Sequence, residues 1–135
     1  MLVSLAWPSH VHHEPALAWF GQRGSELWAT TPMTEAGLVR VITNQAIVPG
    51  AVRPLEALTL LSRMRAVPGH RFLADDVEAI VGSDVDPKLL LGHRDVTDAH
   101  LLAVARSNGA RLATLDRGLR RLSGSTDDVV LVPVA

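Results

Sequence analysis

The chain has 135 residues, 47% hydrophobic and 20% charged, which fits a single soluble globular domain with its own core and excludes a disordered chain. Cysteine is absent, which excludes disulfide frameworks, thiolate nucleophiles and Cys-based zinc sites and fits a cytoplasmic protein. A formal net charge of −1 means that no global basic field marks a nucleic-acid partner. No apolar run approaches the length of a membrane span. Twelve of the thirteen Lys+Arg are arginine, Lys88 being the only lysine, a bias that GC-rich coding explains as well as phosphate binding does. Tyrosine is absent and aromatics are 4%, which argues against a base-stacking platform.

Taken in order, the apolar opening Met1 to Trp7 reads as the end of a buried strand, closed by Trp7-Pro8-Ser9. A helix capped by Ser9 is expected to run to about Phe20, with Pro15 in an early turn and Gly21 and Gly24 closing it. Glu26 to Thr30 is a short strand. Thr31 caps the next helix, with Pro32 at its first position, where a missing N–H costs nothing, and the helix continues to about Thr43. A loop marked by Pro49-Gly50 leads to Pro54, which starts a helix carrying Leu55, Leu58, Leu61 and Met64 at helical spacing. Pro68-Gly69 ends it. Arg71 to Ala74 is a strand, and Asp75 to His93 is partly helical. Thr97 caps a helix ending at Asn108-Gly109, followed by a strand over Arg111 to Leu115, a short helix over Gly118 to Leu122, and a last strand over Val129 to Val134. Strands alternating with helices across short connections predict a single domain over residues 1–135: a three-layer α/β/α sandwich with a mainly parallel central sheet. In such sheets ligands gather beyond the carboxyl ends of the strands.

Three acids fall at that edge. Asp116 follows the strand Leu112-Ala113-Thr114-Leu115, with Thr114 two residues earlier and pointing to the same side. Taken alone, Asp116 reads equally well as a turn residue or a helix cap. Asp98 lies in the first turn of the helix expected to start at Thr97, where an acid gains roughly 0.3–1 kcal/mol from the helix dipole. Asp95 competes with Thr97 as the cap and is otherwise a solvated loop acid. Glu35 lies four residues after the cap Thr31, whereas a capping-box Glu lies three after it, so a structural role fits it poorly. Gathered carboxylates about 4 Å apart repel by roughly 4 kcal/mol per pair at an effective dielectric near 20. A protein that collects them needs a proton or a divalent cation, and an all-oxygen donor set favours Mg²⁺ or Mn²⁺ over zinc.

The order Thr31-Pro-Met-Thr-Glu35, then Asp95-Val-Thr-Asp98-Ala-His-Leu-Leu-Ala-Val-Ala, then Leu112-Ala-Thr114-Leu-Asp116-Arg-Gly resembles the PIN-domain ribonucleases, and more narrowly the VapC toxins of bacterial toxin–antitoxin pairs. The opening Leu-Ala-Trp-Pro-Ser-His-Val-His-His points to the same subgroup, and the resemblance covers essentially the whole chain. It implies that Glu35, Asp98 and Asp116 are catalytic metal ligands, with Thr114 as a supporting hydroxyl. It further implies a Mg²⁺- or Mn²⁺-dependent endoribonuclease that cleaves cellular RNA, is neutralised by a cognate VapB-type antitoxin, and is a homodimer away from membranes. The family opens with a strand like Leu-Leu-Asp-x-Asn-hydrophobic-Leu, whose Asp is the first metal ligand; Met1 aligns with the hydrophobic residue after that Asn. Two readings follow: a start codon assigned too far downstream, or a form without that Asp. For the chain as given, weak metal binding is expected. The alternative function is then a catalytically impaired PIN-like domain that binds antitoxin or RNA without cleavage.

Other residues fit blander roles. His10 and His13 would share a helix face with His12 nearby, but no acid or further ligand accompanies them, so a solvated face is expected; His93 and His100 read as surface residues. Arg117, Arg120 and Arg121 follow Asp116 and suit RNA phosphates, although an ordinary charged helix face explains them equally well; Arg40 and Arg94 are weaker candidates. The Leu55, Leu58, Leu61 and Met64 stripe reads as core, part of which could face an antitoxin helix or a second subunit. An acid-rich phosphotransfer or receiver-like domain is a third reading, but it needs a lysine on a late strand, and Lys88 falls in a loop.

Overall fold

A computed structural model describes residues 1–23, 26–78 and 85–134. The chain divides into two compact units, Met1–Ala74 and Asp75–Pro133. The expected helix-closing Gly24 and part of the Asp75-to-His93 region fall outside the described residues.

In the first unit the chain runs α1 (Leu2–Ala6), α2 (His13–Gln22), β1 (Trp28–Thr30), α3 (Pro32–Ile42), α4 (Pro54–Arg65) and β2 (His70–Phe72). The opening apolar run is therefore a helix, which corrects the strand expected there. A run as short as Met1 to Trp7 does not reveal its period. Here Leu2, Val3 and Ala6 pack against the cluster of Leu38, Ile42, Ala57 and Leu61, a contact that helical spacing supplies. Helix α2 starts later than expected, with His12 rather than Ser9 at its N-cap, so Pro15 lies in its first turn, where no intrahelical N–H is needed.

The start of α3 is as expected. Thr31 is extended and accepts from the Thr34 N–H at 3.2 Å, while the Thr34 hydroxyl accepts from the Thr31 N–H at 2.8 Å. The capping partner is thus Thr34, which leaves Glu35 free of that duty. Strands β1 and β2 pair in parallel, with Trp28 opposite His70 and Thr30 opposite Phe72. On α4, Leu61 is buried and Met64 packs against the core, but Leu55 and Leu58 are 75% and 51% exposed, so only half of the expected core stripe is core.

The second unit runs from a 3₁₀ turn (Pro87–Leu89) through α5 (Arg94–Ser107), β3 (Leu112–Thr114), a second 3₁₀ turn (Leu119–Ser123) and β4 (Val129–Leu131). Strands β3 and β4 are parallel, with Thr114 opposite Leu131. The core gathers Ala99, Leu102 and Ala103 of α5 with Leu119, Leu122 and Val129. Arg106 ties three elements together: it pairs with Asp128 and donates to the Ser123 carbonyl at 3.2 Å and to the Thr126 hydroxyl at 3.0 Å. Helix α5 begins at Arg94 with His93 as N-cap, not at Thr97, because the Asp95 carboxylate accepts from the Leu91 N–H at 2.7 Å and so fastens the preceding loop to the first turn. The helix stops at Asn108, and Gly109 takes a φ of +63°, a value that suits glycine.

Both units are α/β with parallel strand pairs, and among the described residues no helix is long and apolar enough to cross a membrane. Leu102→Ala, at a fully buried position, is expected to cost about 2–5 kcal/mol in urea unfolding, and Thr31→Ala about 1 kcal/mol through the lost cap. Leu58→Ala should stay within about 0.5 kcal/mol. A Leu102 variant as stable as the unmodified protein would contradict this assignment of the core.

Candidate active site

The acids sit in comparable places on their helices. In the first unit Glu35, Leu38 and Ile42 follow one face of α3, so Glu35 heads the stripe that buries Leu38 and Ile42. Its side chain is only 12% exposed. The Thr30 hydroxyl donates to Glu35 Oε1 at 2.6 Å, and Arg65 Nε lies 3.5 Å from the same oxygen. Thr30 Oγ1 is also 2.8 Å from His70 Nε2.

In the second unit Asp98, Leu102 and Ala105 share a face of α5, with Asp98 at its head and Leu102 and Ala105 buried below. Because α5 starts at Arg94, Asp98 lies in the second turn, and the helix-dipole explanation for it loses most of its force. Burial, then the charges of Asp116 and Asp95, push the Asp98 carboxyl above the usual aspartate range. Among the described residues no basic side chain forms an ion pair with Asp98 or Asp116. Asp116 follows β3 through a tight turn: its N–H donates to Thr114 Oγ1 at 3.0 Å and its Oδ1 accepts from the Gly118 N–H at 2.7 Å. A Cβ at position 118 would lie 3.1 Å from that oxygen, so any larger residue would press the Asp116 carboxylate aside by a few tenths of an ångström. The Thr114 side chain, on the buried end of β3, thereby acts on the backbone that carries Asp116.

Asp95 is otherwise employed. The Leu91 N–H, then Arg121, hold its carboxyl below the usual range; Arg121 Nη2 reaches its two oxygens at 3.1 and 3.0 Å. Arg121 is therefore engaged in an ion pair, whereas Arg117 and Arg120 are exposed and form no ion pair among the described residues. Arg40 and Arg94 are also exposed.

The histidines differ from expectation. His13 Nδ1 lies 2.8 Å from the Ser4 carbonyl and His10 Nδ1 accepts from the His12 N–H, so they brace the α1–α2 connection and do not form a solvated face. His100 is half-buried and its Nε2 lies 2.5 Å from Asp75 Oδ1, a correction to its reading as a surface residue. His93 is exposed. Sequence reasoning missed Thr30, Arg65 and His70. Arg65 reaches Glu35 from the end of α4, and the Thr30 and His70 links depend on strand register, for which a threonine at a strand end and a histidine after Pro68-Gly69 carry no distinguishing signal.

Asp98 and Asp116, like charges that form no ion pair among the described residues, are oxygen donors of the kind that suits a hard cation; Glu35 already faces Arg65. Among the described residues, however, no group of three or more His, Asp or Glu is gathered in a metal-holding arrangement.

Comparison with known proteins agrees with the motifs. The PIN domain family matches residues 2–125, and the chain belongs to that family. Ribonuclease VapC38 of Mycobacterium tuberculosis is 50% identical over 122 residues, covering 90% of this chain and 84% of the relative. Ribonuclease VapC39 of the same organism is 46% identical over 119 residues (88% and 86%), and Ribonuclease VapC29 is 36% identical over 133 residues (98% and 92%). Within the family the chain is of the VapC type.

The raised Asp98 pKa fixes a pH dependence. A carboxyl whose folded pKa lies above its unfolded value stabilises the fold while protonated, and that contribution is lost as pH rises through the folded pKa. Asp98→Asn is therefore expected to raise the thermal midpoint at pH 7 without divalent cations, the gain vanishing below the ordinary value of 3.8. An unchanged or lower midpoint at pH 7 would show that Asp98 is not under electrostatic stress.

Proposed function

We propose that the chain is a Mg²⁺- or Mn²⁺-dependent endoribonuclease of the toxin–antitoxin type, with Glu35, Asp98 and Asp116 as its carboxylate ligands. The observation that carries this reading is the Asp98–Asp116 pair: a half-buried carboxyl pushed up by its own burial and by a second acid, with no cationic side chain paired to either among the described residues. Relatives named ribonucleases, 50% and 46% identical over most of the chain, support the substrate class. The same reading carries a single PIN-like domain with a three-layer α/β/α sandwich, for which the parallel pairing within each unit and the family match are the support.

When bound, the cation supplies charge neutralisation and Lewis acidity for in-line displacement at a phosphodiester. The chain's own groups do the rest. Asp98 and Asp116 supply hard oxygen donors; Thr114 fixes the Asp116 backbone, and Gly118 holds one of its oxygens, leaving Oδ2 without a hydrogen bond among the described residues. Glu35, oriented by Thr30, supplies a third carboxylate. Arg117 and Arg120, exposed beside Asp116, attract RNA phosphates; Arg121 contributes mainly by holding Asp95. The cognate partner is a VapB-type antitoxin and the assembly a homodimer; exposed Leu55 and Leu58, one turn apart on α4, supply apolar surface for such contacts.

A second reading is favoured by the Arg65–Glu35 ion pair and by the lack of a three-ligand group among the described residues: a PIN-like domain that binds antitoxin or RNA without cutting. Cleavage of structured RNAs with Mg²⁺ or Mn²⁺ separates the two. The nuclease reading expects activity that EDTA abolishes and that Asp98→Asn, Asp116→Asn and Glu35→Gln each lower by at least about 100-fold, equivalent to some 2.7 kcal/mol of barrier. Activity indifferent to all three substitutions, or absent across varied RNAs, would sink it.

A further inference from the structure

The first unit holds a chain of polar contacts that ends on Glu35 and begins at a residue no motif singles out. In the parallel pair β1–β2, Trp28 and Thr30 project to one face, and their partners His70 and Phe72 project to the same face. The imidazole of His70 stands edge-on to the Trp28 ring, with centroids 4.7 Å apart and planes at 64°. Trp28 is held in turn by Phe20 at 5.2 Å. So braced, the His70 ring crosses diagonally to its neighbour's strand and brings Nε2 to 2.8 Å from Thr30 Oγ1.

Thr30 is buried, 2% exposed, and its hydroxyl owns a single proton. That proton goes to Glu35, since a carboxylate 2.6 Å away can only accept. His70 Nε2 must then donate to the hydroxyl oxygen and carry a hydrogen. Burial, then the positive charge of Arg65, keep the His70 pKa below the usual histidine range, so the neutral ring is favoured and its one proton resides on Nε2. An Nδ1–H tautomer would set a ring lone pair against the hydroxyl and compete with Glu35 for its proton.

We propose that His70 is a positioning residue for Glu35, acting through Thr30: its Nε2–H commits the Thr30 proton to Glu35 Oε1 and so fixes the direction of the carboxylate. The inference rests on the nuclease reading only for the purpose that this orientation serves. Arg65 contacts the same oxygen but is 46% exposed on a flexible stem, whereas Thr30 and His70 lie on paired strands, and the strands set the geometry.

Histidine ¹⁵N spectra of the metal-free protein test this first. His70 should show a protonated Nε2 and an unprotonated Nδ1; the opposite tautomer overturns the proposal. In the same samples at pH 7, the Glu35 ¹³Cδ resonance should move in Thr30→Val and His70→Leu. It should return toward its original position in His70→Gln, whose side-chain amide still donates. A resonance unmoved in folded His70→Leu protein also overturns it.

Mn²⁺ titration calorimetry then reads the consequence. His70→Leu should weaken the affinity about 10- to 100-fold, as loss of a ligand's hydrogen-bond partner does, and His70→Gln should recover most of it. Equal Mn²⁺ affinity in His70→Leu and unmodified protein counts against the proposal. If the unmodified protein binds no Mn²⁺ and cuts no RNA while the ¹⁵N and ¹³C results stand, the nuclease reading fails and the positioning of Glu35 by His70 survives.

Discussion

A carboxylate at the head of a buried helical stripe has lost part of its water and must be compensated by something else. Glu35 on α3 and Asp98 on α5 both occupy such a position, each just above the leucine that anchors its helix in the core, Leu38 and Leu102. Packing favours this arrangement, because the apolar residues that bury the helix also draw in the acid one turn before them on the same face. The two units differ in how the charge is answered. Around Glu35 the answer is a donated hydroxyl proton and a guanidinium. Around Asp98 it is two further acids, which make matters worse. An arrangement that burial and like charge both oppose is poor as structure, and that is why the proposed cation site is placed there.

The surroundings of Asp98 reinforce that contrast. Asp95 is one turn earlier on the same helix, yet it is tied to the Leu91 N–H and clasped by Arg121, and its pKa moves down while that of Asp98 moves up. Three residues of helix thus separate an acid used as a fastener from one left under stress. Asp116 is intermediate: one oxygen closes the turn at Gly118, the other carries no hydrogen bond among the described residues. A single turn therefore satisfies the bland reading of Asp116 and still leaves an oxygen over for the proposed one, which is why its position alone could not choose between them.

How much of this was legible in the sequence follows from the range of the interactions involved. Thr31-Pro32, Pro54, Asn108-Gly109 and the strand after it act locally, through caps and fixed backbone angles, and the elements they mark are where they were expected. The errors arose where the deciding contact is distant. The opening run is helical because Leu2, Val3 and Ala6 meet α3 and α4. Helix α5 begins before Thr97 because Asp95 captures the loop in front of it. Leu55 and Leu58 fit a core stripe by spacing, but Leu61 and Met64 already supply the contact that α4 makes. At the site, the acids stood out through spacing and resemblance. Thr30 and His70 lie 40 residues apart and meet only through the β1–β2 register, so nothing short of the pairing itself points to them.

The arginine bias can be read again once the pairs are known. Arg23, Arg53, Arg65, Arg106, Arg111 and Arg121 each face a carboxylate in the fold. Much of the arginine content is therefore spent on holding loops and helix ends, as a compositional bias without a ligand would allow. Arg117 and Arg120 are different: they are exposed, form no ion pair among the described residues, and stand one and four positions after Asp116. Two unneutralised cations next to an unneutralised acid would ordinarily collapse into a salt bridge. Here the Asp116 carboxylate is turned back toward the Gly118 N–H, and the charges of opposite sign stay apart. On the nuclease reading proposed above, such a separation leaves Arg117 and Arg120 for a polyanion and one Asp116 oxygen for a cation, the division of labour that phosphodiester cleavage requires.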